Sequence, residues 1–110
     1  MSIPRPEIKE IVNRFQKALR VQGINPQRII LYGSYAKEIA REGSDIDLIV
    51  ISRDFAKMSL EQRYARLGAA IAEVMEPIEP LAYTPEEFAN LSPLSIIATV
   101  ARDPREHVDL

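Results

Sequence analysis

The run Asp-Ile-Asp-Leu-Ile-Val-Ile at positions 45–51 constrains the fold of this chain more than any other segment. Its last four residues are all apolar, which predicts a strand that is covered on both faces of a sheet. A second short apolar run, Arg28–Tyr32, predicts another strand. A sheet with such strands needs helices packed against it, so we expect an α/β domain of two or three layers.

Helical patterns alternate with these strands along the chain. Residues 5–22 carry an apolar stripe at helical spacing and stop at Gly23. The stripe consists of Ile8, Ile11, Val12, Phe15 and Leu19. Ser34 is expected to cap a short helix that runs to about Arg41, ahead of a turn at 42–44. Ser59, with Gln62 three residues later, has the capping-box pattern that opens a helix.

The last third of the chain predicts one more strand and two more helices. Residues 78–83 read as a strand, and Pro80 restricts it to an edge or a bulge because proline donates no ladder hydrogen bond. Thr84-Pro85 opens one helix, and Ser92-Pro93 opens another that ends near residue 102. Residues 104–110 are expected to form a loose tail.

Length and composition restrict the class of protein. A chain of 110 residues is expected to be one domain, spanning 1–110. It has no cysteine, which excludes disulfides, thiolate metal sites and cysteine nucleophiles. Charged residues interrupt the N-terminus early and no apolar run approaches ~20 residues, so we expect a cytoplasmic protein without a membrane span. Basic residues are concentrated in the first 41 positions, but not at the density of a strong nucleic-acid-binding surface.

Two carboxylates, Asp45 and Asp47, stand two positions apart at the start of the predicted strand 45–51. Side chains alternate along a strand, so both point to the same face. Two like charges side by side on an apolar strand repel each other, and a divalent cation offsets that repulsion. Oxygen ligands suit Mg²⁺, which also coordinates substrate phosphates.

Gly33 and Ser34 predict a phosphate-binding turn between a strand and a helix. Glycine allows a phosphate to approach the backbone closely, and Ser34 adds a hydroxyl donor. The expected helix N-terminus adds unpaired N–H groups, and Lys37 lies one turn further on. Phosphate binding beside a metal site is the equipment for nucleotidyl transfer.

Gly33-Ser34, ten further residues and then Asp45-x-Asp47 resemble the signature of the polymerase-beta-like nucleotidyltransferase superfamily. The runs 33–37 and 44–50 resemble its minimal nucleotidyltransferase branch. The resemblance implies a small mixed sheet of about three to four strands flanked by about four helices. It implies ATP or another triphosphate as substrate, with Mg²⁺. Many minimal members are antitoxins that adenylylate a tyrosine of a small helical HEPN ribonuclease toxin.

The resemblance also implies a third carboxylate on the next strand, usually Asp. Glu79, five residues before Thr84, matches this position. The longer side chain displaces the carboxylate by ~1.5 Å, and magnesium tolerates poor octahedral geometry badly. Glu79 is therefore expected to act as a metal ligand in a wider site or as the base that accepts the acceptor's proton.

Simpler interpretations remain open for several of these residues. Asp45 and Asp47 are also compatible with a turn cap paired with Arg41, Gly33-Ser34 with a plain helix start, and Lys37 with a solvated surface lysine. His107 falls in the expected tail, so no catalytic role is predicted for it. The apolar residues Leu94, Ile96, Ile97 and Val100 belong either to the core or to an interface, such as that of a homo-oligomer.

Three functions follow from these observations. The first is the magnesium-dependent transferase with a partner protein as acceptor. The second is a binding module that has the same fold but neutralises a partner by occlusion alone. The third, a transferase acting on a small molecule such as an aminoglycoside, is disfavoured because the expected single domain leaves little room to bind such a substrate.

Overall fold

The computed structural model describes residues 6–41 and 43–110, which form a four-stranded mixed sheet and four α-helices. The helices are α1 (Pro6–Val21), α2 (Leu60–Val74), α3 (Pro85–Ala89) and α4 (Ile96–Arg102). The strands are β1 (Arg28–Tyr32), β2 (Ile46–Ile51), β3 (Ile78–Tyr83) and β4 (His107–Asp109). The predicted fold class is confirmed. Residue 5 of the first predicted helix and residue 42 of the predicted turn lie outside the described residues.

The strand order in the sheet is β3-β2-β1-β4, with β1 antiparallel to β2 and β4, and β2 parallel to β3. The carbonyls of Pro77, just before β3, and of Tyr83, its last residue, accept hydrogen bonds from the N–H groups of Ile46 and Ser52. Peptide groups alternate in direction along a strand, so Pro80 directs its ring nitrogen away from β2. The proline therefore costs the ladder no hydrogen bond, and the predicted edge strand is confirmed.

Helices cover both faces of the sheet. The helices α1 and α2 bury one face, and α3 and α4 pack against part of the other. The first core includes Val12, Phe15, Leu19, Leu67, Leu31, Leu48 and Val50; the second includes Ile30, Ile49 and Ile51 with Tyr83, Phe88 and Ile97. All residues from Leu48 to Ile51 are at most 2% exposed, which explains the uninterrupted apolar run.

Two predictions about the segments beside the sheet are wrong. The sequence predicts a helix from Ser34 to Arg41, but the structure has only a 3₁₀ turn, Gly33–Tyr35, followed by further turns. Glu38 adopts a φ of 60°, a left-handed conformation that an α-helix does not contain. The expected loose tail is also wrong for its last residues, because β4 pairs with the open edge of β1 and satisfies its backbone groups.

Besides Ser34, which caps no α-helix, two of the three other predicted helix caps agree with the structure. Ser59 and Thr84 both form complete capping boxes. The last helix is capped by Ser95 instead of Ser92, because the Ser95 hydroxyl accepts from the amide of Ala98. Of the apolar residues around this helix, Leu94 and Ile96 are exposed and Ile97 joins the second core. No helix in the described ranges is long and apolar enough to cross a bilayer.

Candidate active site

The last residues of β1 lie beside the first residues of β2 and β3, at one end of these strands, because β1 runs antiparallel to both. We call this end of the sheet the site edge. Asp47 is paired with Tyr32 on one side and with Glu79 on the other. Directly opposed residues share a face of the sheet, so these three side chains form a row on the face that α3 and α4 cover only in part.

Asp47 is influenced electrostatically by the other two predicted carboxylates. Burial raises the pKa of Asp47 above its ordinary value, and the neighbouring charges of Asp45 and Glu79 raise it further. Asp45 and Glu79 are themselves exposed, whereas Asp47 is half-buried. The structure thus brings together carboxylates from two strands that lie more than 30 residues apart in sequence.

The chemistry of this cluster fits a hard divalent cation. All three groups offer oxygen atoms, and the mutual repulsion that raises the pKa of Asp47 is relieved by a positive charge between them. Within the part of the chain that the structure describes, no three acidic or histidine side chains converge closely enough to enclose an ion by themselves. Magnesium commonly uses one or two carboxylates together with water and substrate phosphates, so the donor set fits this metal.

Gly33 is held against the carboxylate of Asp47. Its φ is 72°, in the left-handed region that favours glycine. A Cβ atom at this position would overlap Oδ2 of Asp47 and contact its Cγ at 3.1 Å. A glycine at position 33 therefore has a structural role besides the expected close approach of a phosphate, because it leaves room for the side chain of Asp47 beneath the turn.

Replacing Gly33 with Ala is expected to reduce the free energy of unfolding by about 3 kcal/mol, because strain at positive φ adds to the overlap with Asp47. Gly43 is the matched control: its φ is 84°, but a Cβ there would meet no described atom within 4 Å. Gly43→Ala is expected to lose only about 1 kcal/mol. Urea denaturation of both variants measures the difference, and equal losses would contradict the packing argument.

The residues predicted to bind phosphate are only partly where the sequence places them. Ser34 lies half-buried in the 3₁₀ turn next to Gly33. Because no α-helix follows, the predicted helix N-terminus does not exist, and its anion-binding contribution is removed. Lys37 is exposed, and its Nζ lies 3.1 Å from a carboxylate oxygen of Glu106. The ammonium group therefore has a carboxylate partner in this structure.

Two residues at the site edge were not predicted from the sequence. Tyr32 lies next to Asp47; burial, followed by the charges of Asp47 and Glu79, raises its pKa to about 12. Its phenol therefore stays protonated and can donate a hydrogen bond. His107, on β4, is paired with Tyr32 and extends the row by one strand. Strand alternation could have indicated Tyr32, whereas no local pattern indicates the pairing of His107.

A model of the nucleotidyltransferase domain matches residues 6–101 of the sequence. The chain belongs to this nucleotidyltransferase family. The family resemblance inferred from Gly33-Ser34 and Asp45-x-Asp47 is therefore confirmed. No curated protein is similar enough in sequence to match. The matched region of this nucleotidyltransferase ends before β4, so His107 lies outside the part that the family model describes.

Two solved structures share the fold of this nucleotidyltransferase. One is a crystal structure of a toxin-antitoxin with AMP-PNP, with 18% identity, 88% of this chain and 69% of that chain covered, and a TM-score of 0.59. The other is a protein from Sulfolobus solfataricus classed provisionally as a nucleotidyltransferase, with 13% identity, coverage of 84% and 86%, and a TM-score of 0.52. At these identities the likeness shows the fold alone.

Proposed function

We propose that the protein is a magnesium-dependent nucleotidyltransferase that transfers AMP from ATP to an acceptor hydroxyl. One observation carries the proposal: Asp47 lies in a row between Tyr32 and Glu79, with its carboxylate packed directly against Gly33. This contact joins the carboxylate cluster to the phosphate-binding turn. Asp45, Asp47 and Glu79 would hold the metal, which when bound offsets the negative charge of the phosphates.

The residues at the site edge provide the remaining functions. Gly33 and Ser34 contact the triphosphate at the turn. The acceptor oxygen attacks the α-phosphorus, the bond from this phosphorus to the β-phosphate oxygen breaks, and pyrophosphate leaves. The acceptor's proton passes to the carboxylate of Glu79, which lies at the exposed end of the row. The protonated phenol of Tyr32 orients neighbouring oxygen atoms by donating a hydrogen bond.

We further propose that the acceptor is a tyrosine of a small helical HEPN-type partner and that the protein acts as an antitoxin in the cytoplasm. The motifs at 33–37 and 44–50 resemble the minimal branch of the family, in which this pairing is common. The toxin-antitoxin with AMP-PNP that shares the fold supports a nucleotide-dependent role of the same kind.

A second candidate is occlusion of the partner without catalysis. It is favoured by Glu79, which stands where the resemblance implies Asp, and by the lack of an enclosing three-ligand group among the described side chains. In that case the site edge would contribute shape and charge, and the carboxylates would have no chemical role.

Isothermal titration with a non-hydrolysable ATP analogue, with and without magnesium, tests the proposed function. We expect binding that requires magnesium and is lost in the double variant Asp45→Asn, Asp47→Asn. The same variant should still bind the partner but no longer neutralise it. If the double variant still neutralises the partner fully, an enzymatic mechanism of neutralisation is excluded, and occlusion is left as the function.

A further inference from the structure

The residue His107 stands at the end of the row formed by Glu79, Asp47 and Tyr32. Its cross-strand partner is Tyr32, and directly opposed residues share a face. Val108, the next residue, packs into the opposite core beside α1, which confirms the direction of the His107 side chain. The imidazole thus faces the same side of the sheet as the carboxylates, although the sequence predicts a loose tail at this position.

The imidazole is held in one orientation by the end of α4. Its Nδ1 lies 2.9 Å from the carbonyl oxygen of Val100 and 3.0 Å from that of Asp103. Both partners are acceptors, so Nδ1 carries the hydrogen and Nε2 is the other polar atom of the ring. No residue in the described ranges bonds to Nε2. When the ring is protonated at both nitrogens, Nε2–H is a charged donor of the kind that phosphate oxygens accept well.

The position of His107 at the site edge indicates which part of the substrate it meets. In phosphoryl-group transfer the attacking and leaving oxygens lie roughly in line, on opposite sides of the phosphorus. Glu79 occupies the β3 end of the row. With Glu79 as the base of the proposed function, the leaving group would point toward β1 and β4. The turn at Gly33 lies on that side, and the ion pair between Lys37 and Glu106 holds the start of β4 beside it.

We propose that His107, with both ring nitrogens protonated, binds the β- and γ-phosphates of the nucleoside triphosphate by donating from Nε2–H. This contact would add a residue of β4 to the phosphate-binding turn. The strand β4 lies two positions along the sheet from β2, a distance of ~10 Å. This inference rests on the proposed function, because it assigns His107 to the pyrophosphate side of the same site. The alternative is a purely structural role, in which His107 only clamps β4 to the end of α4.

Two amide substitutions separate these roles, because each reproduces one ring nitrogen. In His107→Asn, the amide nitrogen takes the place of Nδ1 and keeps the bond to α4, while the atom corresponding to Nε2 is lost. In His107→Gln, the amide nitrogen takes the place of Nε2, while the bond to α4 is lost. The full-length variants are compared in urea denaturation and in titration with the ATP analogue plus magnesium, with AMP as competitor.

We expect His107→Asn to keep its unfolding midpoint while its affinity for the ATP analogue falls ~10-fold and its affinity for AMP does not change. His107→Gln should be less stable yet bind the analogue within ~3-fold of the unaltered chain. Unchanged analogue affinity in His107→Asn, or an equal loss for AMP, would overturn the phosphate contact and leave the proposed function intact. If the unaltered chain shows no magnesium-dependent binding, the proposed function and this inference both fail.

Discussion

Asp47→Asn is expected to lower the rate of nucleotidyl transfer by at least ~10³-fold while the chain remains folded. The amide keeps the size of the side chain but removes the charge that fits a metal ion, and a loss of about 4 kcal/mol in transition-state stabilisation gives this factor. Single-turnover transfer of labelled AMP from ATP to the partner protein measures the rate. A loss of less than tenfold would contradict the metal-binding role of Asp47.

The stability of the same variant is expected to change in the opposite direction. The raised pKa of Asp47 shows that its charged form is disfavoured in the folded chain, by burial and by the charges of Asp45 and Glu79. Removing that charge should therefore raise the urea midpoint near neutral pH in magnesium-free buffer. If rate and midpoint both fall, Asp47 supports the fold more than the chemistry.

Glu79 supplies the matched comparison for this experiment. Glu79→Asp keeps a carboxylate and introduces the Asp that the family resemblance implies. This variant should transfer AMP at a rate within ~10-fold of that of the unaltered chain. Glu79→Gln keeps the length of the side chain but cannot accept the proton, and should lose at least ~10²-fold. Equal rates in the two variants would exclude Glu79 from the reaction.

Glu87→Gln is expected to reduce the free energy of unfolding by about 2 kcal/mol, because it leaves the guanidinium of Arg63 without its counter-charge. Only 7% of the Arg63 side chain is exposed, and it donates to both carboxylate oxygens of Glu87 at 2.7 and 3.0 Å. It also donates to the carbonyl of Phe55 and thereby connects three segments of the chain. Glu87 is 44% exposed, so the loss is smaller than for a fully buried pair.

The ion pair also predicts a dependence of stability on pH. The hydrogen bonds from Arg63 lower the pKa of Glu87 below its ordinary value of 4.5. A lowered folded-state pKa means that the contribution is fully present above pH 4.5 and disappears as the pH falls through the lower value. Urea midpoints measured from pH 7 down to pH 3 should show this loss in the unaltered chain and not in Glu87→Gln.

Glutamine is a suitable replacement because it keeps the helix cap. The Glu87 side chain accepts from the amide of Thr84 in a capping box, and the equivalent box at Ser59 uses Gln62 for the same contact. Glu86→Gln is the control, since it removes a carboxylate from the same helical turn without touching Arg63. It should cost only a few tenths of a kcal/mol, and an equal loss in both variants would point to the helix dipole.

Local sequence patterns determined most of the secondary structure. The stripe from Ile8 to Leu19, the run from Leu48 to Ile51 and the two capping boxes each act over a few residues, so the pattern contains the physical cause. The spacing between Gly33-Ser34 and Asp45-x-Asp47 likewise indicated the family, because both motifs flank strands. Pro80 restricted its strand to an edge or a bulge, since proline has no N–H to donate to a ladder.

Contacts between distant residues decided the remainder. The pairing of β4 with β1 depends on the open edge of β1, and the sequence of a three-residue strand does not indicate this pairing. The position of His107 beside the site was therefore not predicted. Lys37 forms an ion pair with Glu106, and a single 3₁₀ turn takes the place of the helix expected after Ser34. The packing of Gly33 against Asp47 is also tertiary: the sequence contains both residues, but only the register between β1 and β2 places one against the other.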